Sequence, residues 1–221
     1  MKYTFNDYRI GQITRLPDNT ENKKEELIKV FSNPRPRNIK KALKSGVTVR
    51  FSNDSEDMKF LFNVHKQNIE SIGGKAKEYS FFEDVENLMS TDEYKILIAE
   101  LDGIKIGALL LFYFNKTIEY FTPATIYEYR NVQPSSLLIY EGMMNGIDLG
   151  YSNWNWGGTW ETQTGVYDFK KKWGAVDCNY EYYTMIYDTT LLKLSEEELN
   201  SEYSNVFVLP FKELQNGDKQ N

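Results

Sequence analysis

The chain has 221 residues, of which 41% are hydrophobic and 15% aromatic, enough for the core of one large domain or one domain with an appendage. Its formal net charge of −6 at pH 7 argues against DNA as a partner, because phosphate binding needs a basic surface. One histidine, His65, and one cysteine, Cys178, cannot form a conventional zinc site or an intrachain disulfide. The N-terminus lacks an apolar signal region, and the longest apolar run, 104–114, is too short for a membrane span. We therefore expect a cytoplasmic protein with no metal and no transmembrane segment.

Hydrophobic periodicity and turn residues divide the chain into strands and helices. Asp102-Gly103 predicts a two-residue hairpin turn, Asn115-Lys116 predicts a second tight turn, and Pro134 suits the first turn of a helix. In chain order we predict a strand at 9–16, helices at 21–31 and 38–46, a strand at 47–51, helices at 53–72 and 80–89, an antiparallel meander at 94–101, 104–114 and 117–124, a loop at 126–133, a helix at 134–150, a strand at 151–156, a helix at 161–172 and a strand at 175–187.

Local signals set some of these boundaries. Ser80 and Glu83 form a capping box that predicts a helix start, and Gly157-Gly158 predicts a turn after an aromatic strand. From Asp188 onward the chain becomes acidic and then polar, so we predict a single domain at 1–188 and a C-terminal extension at 189–221. The order of elements predicts an α+β fold, a mostly antiparallel central sheet with helices on both faces.

Aromatic residues are concentrated in one segment, with all four tryptophans between Trp154 and Trp173. Such a concentration marks either a core or the wall of a site. Trp156 and Trp160 flank the two glycines, where they either stack on a sugar or nucleobase or close the core. His65 lies on the apolar stripe of its helix and is predicted to be a core-edge residue rather than a catalytic base.

The segment Gly165-Val166-Tyr167-Asp168-Phe169-Lys170, followed by Trp173-Gly174, matches Gly-(Leu/Val)-x-x-Phe-Lys-x-x-(Phe/Trp)-Gly. This pattern resembles the Fem-type branch of the GNAT acyltransferases, the peptidoglycan-bridge aminoacyltransferases and their single-domain acetyltransferase-like relatives. The resemblance covers roughly Arg9 to Asp188. Fem-type bridge enzymes usually carry two such domains, and ordinary GNAT enzymes carry an Arg/Gln-x-x-Gly-x-Gly/Ala loop that 130–136 replaces here. Further matching segments are 37–42, 46–49, 100–103, 107–108, 123–124, 128–130 and Pro134.

The resemblance implies an enzyme that transfers an acetyl or aminoacyl group from acyl-CoA, or from aminoacyl-tRNA, to an amine of a cell-envelope glycan or peptidoglycan precursor. Lys170 is expected to stabilise negative charge at the reaction centre, Glu161 or Glu119 to act as general base, and Tyr167 to protonate a leaving thiolate. A second subunit could complete the acceptor site, which makes a homo-oligomer an expectation. Expected donor-binding residues are Phe121, Thr122, Arg130, Asn131, Gln133, Ser135 and Ser136. Expected acceptor-binding residues are Trp156, Trp160, Arg37, Lys41 and Glu119.

Two alternatives remain open from the sequence. Five cations between Arg35 and Lys44 form either a solvated helix face or an anion-binding patch for tRNA or a nucleotide-sugar diphosphate. The whole chain could also be a non-catalytic glycan- or nucleotide-binding module on a degenerate GNAT scaffold.

Overall fold

The computed structural model describes residues 4–160 and 163–202, and this part of the chain forms seven strands and seven α-helices. The strands are β1 (Phe5–Arg15), β2 (Thr48–Ser52), β3 (Tyr94–Leu101), β4 (Ile104–Phe114), β5 (Thr117–Thr125), β6 (Asn153–Thr159) and β7 (Val176–Thr184). The α-helices are α1 (Lys23–Val30), α2 (Arg35–Lys44), α3 (Ser55–Glu70), α4 (Tyr79–Leu88), α5 (Pro134–Asp148), α6 (Thr164–Lys171) and α7 (Glu196–Glu202), with 3-10 helices at Tyr127–Val132 and Thr189–Lys193.

The strands form one sheet in the order β2-β3-β4-β5-β6-β1-β7. The pairs β2–β3, β3–β4 and β4–β5 are antiparallel, and β5–β6 is parallel. Asp102 and Gly103 both have positive φ, as do Asn115 and Lys116, so both predicted turns of the meander are confirmed. The predicted α+β fold with a mostly antiparallel sheet is confirmed.

Alternating residues of β3 feed two hydrophobic clusters, one on each face of the sheet. Ile96 and Ile98 pack in one cluster, whereas Leu97 and Ala99 pack in the other. Helices α3 and α4 cover the first face, and helices α1, α2 and α5 cover the second. Fully buried helix residues at these contacts include Met58, Leu61 and Phe82 on the first face and Leu27, Ala42 and Met143 on the second.

The chain divides into two compact units. The larger unit is 11–178; the smaller combines 1–10 with 179–221, of which the structure describes 4–10 and 179–202. In the smaller unit Leu199 is buried against Ile186, Leu192 and Leu194. The predicted boundary between a domain at 1–188 and an extension at 189–221 stays a prediction.

Some predicted boundaries are wrong, and each has a local cause. Helix α4 begins at Tyr79 with Glu78 before it and no side-chain cap, so Ser80 lies inside the helix rather than capping it. Gly157 and Gly158 belong to β6 and not to a turn, because this strand continues to Thr159. The predicted loop at 126–133 holds a 3-10 helix.

Candidate active site

Strands β5 and β6 lie side by side at first and then part. Their parallel pairing runs only from Thr117 opposite Asn153 to Glu119 opposite Asn155. The register between β4 and β5 shifts after this point, which leaves Phe121 as an extra residue on β5. The parting opens a cleft along β5, with backbone groups of the bulge unpaired by β4. Phe121 and Thr122, two of the residues expected to bind the donor, lie on this part of β5.

Glu119 is the last residue of β5 that pairs with β6, and its carboxyl group lies in a partly buried, polar corner. Asn155 Nδ2 donates a 2.6 Å hydrogen bond to Glu119 Oε2, and Asn155 Oδ1 accepts one from the Gly157 N–H at 3.0 Å. Burial raises the pKa of Glu119 to about 7, although the Asn155 hydrogen bond and the nearby Lys170 act in the opposite direction. A carboxyl group with this pKa exchanges protons readily near neutral pH.

Lys170 lies on α6, and its ammonium group is turned towards the end of β6. Nζ donates to Gly157 O at 3.2 Å, to Gly158 O at 3.1 Å and to Thr159 Oγ1 at 2.7 Å. The residue is only 5% exposed. Burial lowers the pKa of Lys170 to about 8, while the charge of Glu119 raises it. Each of the three N–H groups of the ammonium therefore has an acceptor, so Lys170 is a fixed cation that holds residues 157–159 in place.

Aromatic packing fixes the helix that carries Lys170. Trp156 lies 5.9 Å from Phe169 and 6.1 Å from Trp173, measured between ring centroids. Trp156 Nε1 donates to Thr14 Oγ1 at 2.8 Å, and that hydroxyl donates to Trp173 O at 3.1 Å. Because β6, β1 and the end of α6 are joined here, the position of Lys170 relative to β6 is set by the core.

A cleft of about 380 Å³ runs along the end of β5 to the start of α5. Tyr120 and Phe169, the chain neighbours of Glu119 and Lys170, line one end of it, whereas Glu119 and Lys170 themselves do not line it. Its lining contains two arginines and no acidic residue, so it favours an anionic ligand. The lining residues are Arg35, Asn68, Tyr120, Pro123, Ala124, Thr125, Arg130, Gln133, Pro134, Ser135, Ser136 and Phe169.

The start of α5, which carries the expected donor-binding residues Gln133, Ser135 and Ser136, offers few free backbone N–H groups for a phosphate. Pro134 has no N–H, the Gln133 N–H bonds Arg130 O at 3.2 Å, and the Ser136 N–H bonds Gln133 O at 3.1 Å. The Ser135 N–H and the exposed Arg130 guanidinium therefore fit a phosphate group best among the described residues of this segment.

Helix α3 closes the other side of the cleft through Asn68. Its side chain donates to Thr125 O at 3.1 Å and accepts from the Thr125 N–H at 3.2 Å, as a neighbouring strand would. Thr125 Oγ1 and Ser135 Oγ are 2.7 Å apart, which links the end of β5 to the start of α5. His65, on the same helix, is 9% exposed, in agreement with the predicted core-edge position.

The structure brings together only part of the predicted site. Arg130, Gln133, Ser135 and Ser136 line the cleft, and Glu119 and Lys170 lie close enough to shift each other's pKa. Asn131 is exposed and Thr122 is 1% exposed; neither lines the cleft.

Three other predicted residues do not fit the roles expected of them, or fall outside the description. Tyr167 donates its hydroxyl to Asp177 at 2.9 Å and does not line the cleft, so this geometry does not support a leaving-group acid. Trp156 is 3% exposed, which places it in the core rather than on a stacking surface, whereas Trp160 is half-buried. Glu161, the predicted base, lies outside the described residues.

Arg37 and Lys41 lie in a separate groove on α2. This basic groove is lined by Asn33, Pro36, Arg37, Lys40, Lys41, Lys44 and Ser45, and its volume is about 610 Å³. The four cations recur at the helical spacing of one face and are exposed. Neither Arg37 nor Lys41 lines the cleft that Glu119 adjoins.

Sequence reasoning missed three residues of the site. Asn155 alternates with Trp154 and Trp156 on β6, and this alternation is a signal that its side chain leaves the aromatic core. Arg35 was grouped with the surface cations, although it lines the cleft beside Phe169. Asn68 is 57 residues from its partner Thr125, so no local pattern predicts that contact.

The described residues contain neither a metal-binding cluster nor a membrane-spanning helix. Residues 4–160 and 163–202 contain no group of three His, Cys, Asp or Glu side chains placed to hold a metal ion. Within the same residues no helix has the length and hydrophobicity to cross a membrane.

Similar folds occur among solved structures. The chain superimposes on FemX with a TM-score of 0.69 and 19% identity, covering 79% of this chain and 61% of that one. The DUF2156 C-terminal domain from Agrobacterium fabrum gives 0.57 at 14% identity, covering 80% and 60%, and L-PGS from Bacillus licheniformis gives 0.53 at 12%, covering 84% and 64%. The chain thus spans about three fifths of the length of these proteins. Their likeness confirms the Fem-type resemblance at the level of the fold.

A search of curated protein sequences finds no match to the chain. A family model described as "Acetyltransferase (GNAT) domain" matches residues 36–171, which is more than half of the sequence. That match includes α2 except for Arg35, the β4–β5–β6 region, Glu119 and Lys170. The chain therefore belongs to the acetyltransferase (GNAT) domain family, and acyl transfer is the general chemistry that this membership supports.

Proposed function

We propose that this chain is an N-acyltransferase that moves an acetyl or aminoacyl group to an amine of a cell-envelope glycan or peptidoglycan precursor. The observation that carries the proposal is the Glu119 carboxyl group, which has a pKa of about 7 at the point where β5 and β6 part. The cleft begins at the next residue of β5, Tyr120, so we propose that the reactive carbonyl of a donor bound there approaches this carboxylate.

Glu119 acts as the general base. An amine acceptor is protonated at neutral pH and attacks only after losing a proton, which Glu119 Oε accepts directly or through one water. The amine nitrogen then bonds to the acyl carbon and releases a second proton to solvent, the bond from that carbon to the donor's sulfur or oxygen breaks, and the proton held by the carboxyl group passes to the leaving group, which restores the carboxylate. Glu119 is therefore a better candidate than Tyr167 for protonating the leaving group, because the Tyr167 hydroxyl is hydrogen-bonded to Asp177.

Lys170 contributes a fixed positive charge rather than a free N–H group. All three of its protons are donated to Gly157 O, Gly158 O and Thr159 Oγ1. Its charge favours the ionised form of Glu119 and any negative charge that develops on the acyl oxygen. We therefore assign Lys170 to positioning β6 and to electrostatic stabilisation.

The cationic cleft favours an acyl donor that carries phosphates, and acyl-CoA is the first such donor to test. Arg130 and the Ser135 N–H are the groups that would hold its phosphates at the start of α5. Aminoacyl-tRNA is the second donor, because it offers phosphates to the same groups and the exposed cations of the basic groove would add to its binding. A homo-oligomer in which a second subunit completes the acceptor site stays a prediction.

The non-catalytic alternative has less support. It depended on exposed tryptophans that stack on a sugar, and Trp156 is 3% exposed in the core. A module that only binds ligands also gives no reason for a base with a pKa of about 7 in the cleft.

The test is a transfer assay with acetyl-CoA or alanyl-tRNA as donor and an amine panel that includes amino acids, amino sugars and a UDP-linked peptidoglycan precursor. We expect acceptor-dependent release of CoA or tRNA by the wild type and loss of this release in Glu119→Gln and Lys170→Ala. Glycan binding without donor turnover by the wild type would refute the proposal and favour the module.

A further inference from the structure

Arg35 is the one cation of the α2 segment that lines the active-site cleft. Its Nη2 donates to Phe169 O at 3.2 Å, and its guanidinium carbon lies 4.3 Å from the centre of the Phe169 ring and 5.3 Å from that of Trp173. The guanidinium plane is therefore held against two aromatic rings that also fix Lys170.

Arg35 lacks the partner that a structural arginine normally has. Its buried Nε has no hydrogen-bond partner, and no carboxylate within the described part of the chain pairs with it. Arg35 also opens α2, whose first turn contains no acidic residue, so the helix dipole adds to its positive charge instead of balancing it. Burial lowers the pKa of Arg35, although the nearby Tyr120 acts in the opposite direction, so this desolvated cation is only partly compensated by its surroundings.

The neighbours of Arg35 connect it to the reacting groups. Phe169 precedes Lys170 in the chain, and Tyr120 follows Glu119; both line the cleft together with Arg35. Arg130, the second arginine of the cleft, belongs instead with Gln133 and Ser135 at the start of α5. The two arginines thus suit two different anionic groups, one at the donor's phosphates and one at the end of the cleft that Tyr120 and Phe169 line.

We propose that Arg35 binds a carboxylate of the acceptor, so that the site selects amines that also carry a carboxylate, such as amino acids or peptides, over neutral amines. This inference rests on the proposed function and names the class of its acceptor. The Arg35 side chain lines the cleft, and its two Nη atoms offer the planar pair of donors that a carboxylate matches.

Binding of product analogues tests the inference without turnover. N-Acetylglycine and N-acetylglycinamide differ only in the carboxylate, and their dissociation constants are measured by titration calorimetry with the full chain. We expect the acid to bind about tenfold more tightly than the amide, a preference that Arg35→Met abolishes. Arg37→Met, which removes an exposed cation two residues away, is the matched control and should keep the preference.

Equal or absent binding of the two analogues by the wild type, or a preference that survives in Arg35→Met, would overturn the inference. CoA is titrated in parallel: its affinity should be unchanged in Arg35→Met, and a loss equal to that in Arg130→Gln would assign Arg35 to the donor instead.

Two further measurements distinguish a wrong inference about Arg35 from a variant that does not fold and from a wrong proposed function. Arg35→Lys keeps the charge but not the planar pair of donors, so a folded Arg35→Lys should show a reduced preference even if Arg35→Met does not fold; an unchanged preference would contradict the proposal. A wild type that prefers the acid but transfers no acyl group would refute the proposed function and not the role of Arg35.

Discussion

The cleft beside Glu119 and the basic groove on α2 are both cationic, yet they differ in how their charges are held. The groove presents Arg37, Lys40, Lys41 and Lys44 to solvent at helical spacing. In the cleft corner, Glu119 and Lys170 are partly desolvated, fixed by hydrogen bonds and shifted in pKa towards neutrality. The difference shows that density of charge identifies a surface for an anion, whereas burial and fixed partners create a group that can exchange a proton.

The largest effect is expected for Glu119, the partly buried carboxyl group in this comparison. Replacing Glu119 by Gln keeps the hydrogen bond with Asn155 but removes the proton acceptor, so kcat/KM should fall about 100-fold or more. Steady-state transfer kinetics measure the change. Glu83→Gln, which alters an exposed carboxyl group on α4, is the control and should retain full activity. Retention of activity by Glu119→Gln would remove Glu119 as the base.

Lys170→Met tests whether the hydrogen bonds of Lys170 stabilise the fold, in addition to its electrostatic role in the site. The change leaves Gly157 O, Gly158 O and Thr159 Oγ1 without their donor, and we expect the free energy of unfolding to fall by about 3 kcal/mol. Urea denaturation measures this quantity. Lys172→Met changes an exposed lysine two residues away and should have little effect. Equal stability of the two variants would contradict the fixed position of Lys170.

Arg130→Gln and Arg37→Gln compare the cleft with the groove directly. If the donor's phosphates lie at the start of α5, Arg130→Gln should weaken CoA binding about tenfold, because one charge-assisted contact is lost. Arg37→Gln should change the same dissociation constant less than twofold. The reverse ranking, measured by the same titration, would move the donor site to the basic groove.

The fold was predictable where the signal is local. Asp102-Gly103 fixes a hairpin through its φ angles, and the apolar runs on either side define β3 and β4. The signature around Lys170 predicts, through the family resemblance, that this residue lies at the reaction centre, whereas its contacts with the end of β6 come from the structure. Hydrophobic period and turn chemistry act over a few residues, so they survive without tertiary information.

The site was less predictable because its contacts join distant segments. Arg35 is 134 residues from Phe169, and Asn155 is 36 residues from Glu119. The run of cations in α2 gave no sign that Arg35 points to the cleft while Arg37 lines the groove, since a helix separates residues two positions apart onto different faces. Trp156 was ambiguous for a related reason: an aromatic residue on a strand packs in a core or lines a site according to what covers it.

The titration of Glu119 tests the central claim most directly. Carbon NMR of the Glu119 carboxyl group is compared with the pH dependence of kcat/KM for the wild type and Glu119→Gln. Below its pKa Glu119 is protonated and cannot accept a proton, so activity should rise with pH through about 7, and it should fall above about 8 as Lys170 loses its charge. We predict that the carboxyl group titrates near pH 7 together with the acidic limb of the activity profile, and that this limb is absent from the residual activity of Glu119→Gln. A Glu119 pKa near the ordinary value of 4.5, or an acidic limb that persists in the variant, would contradict the account.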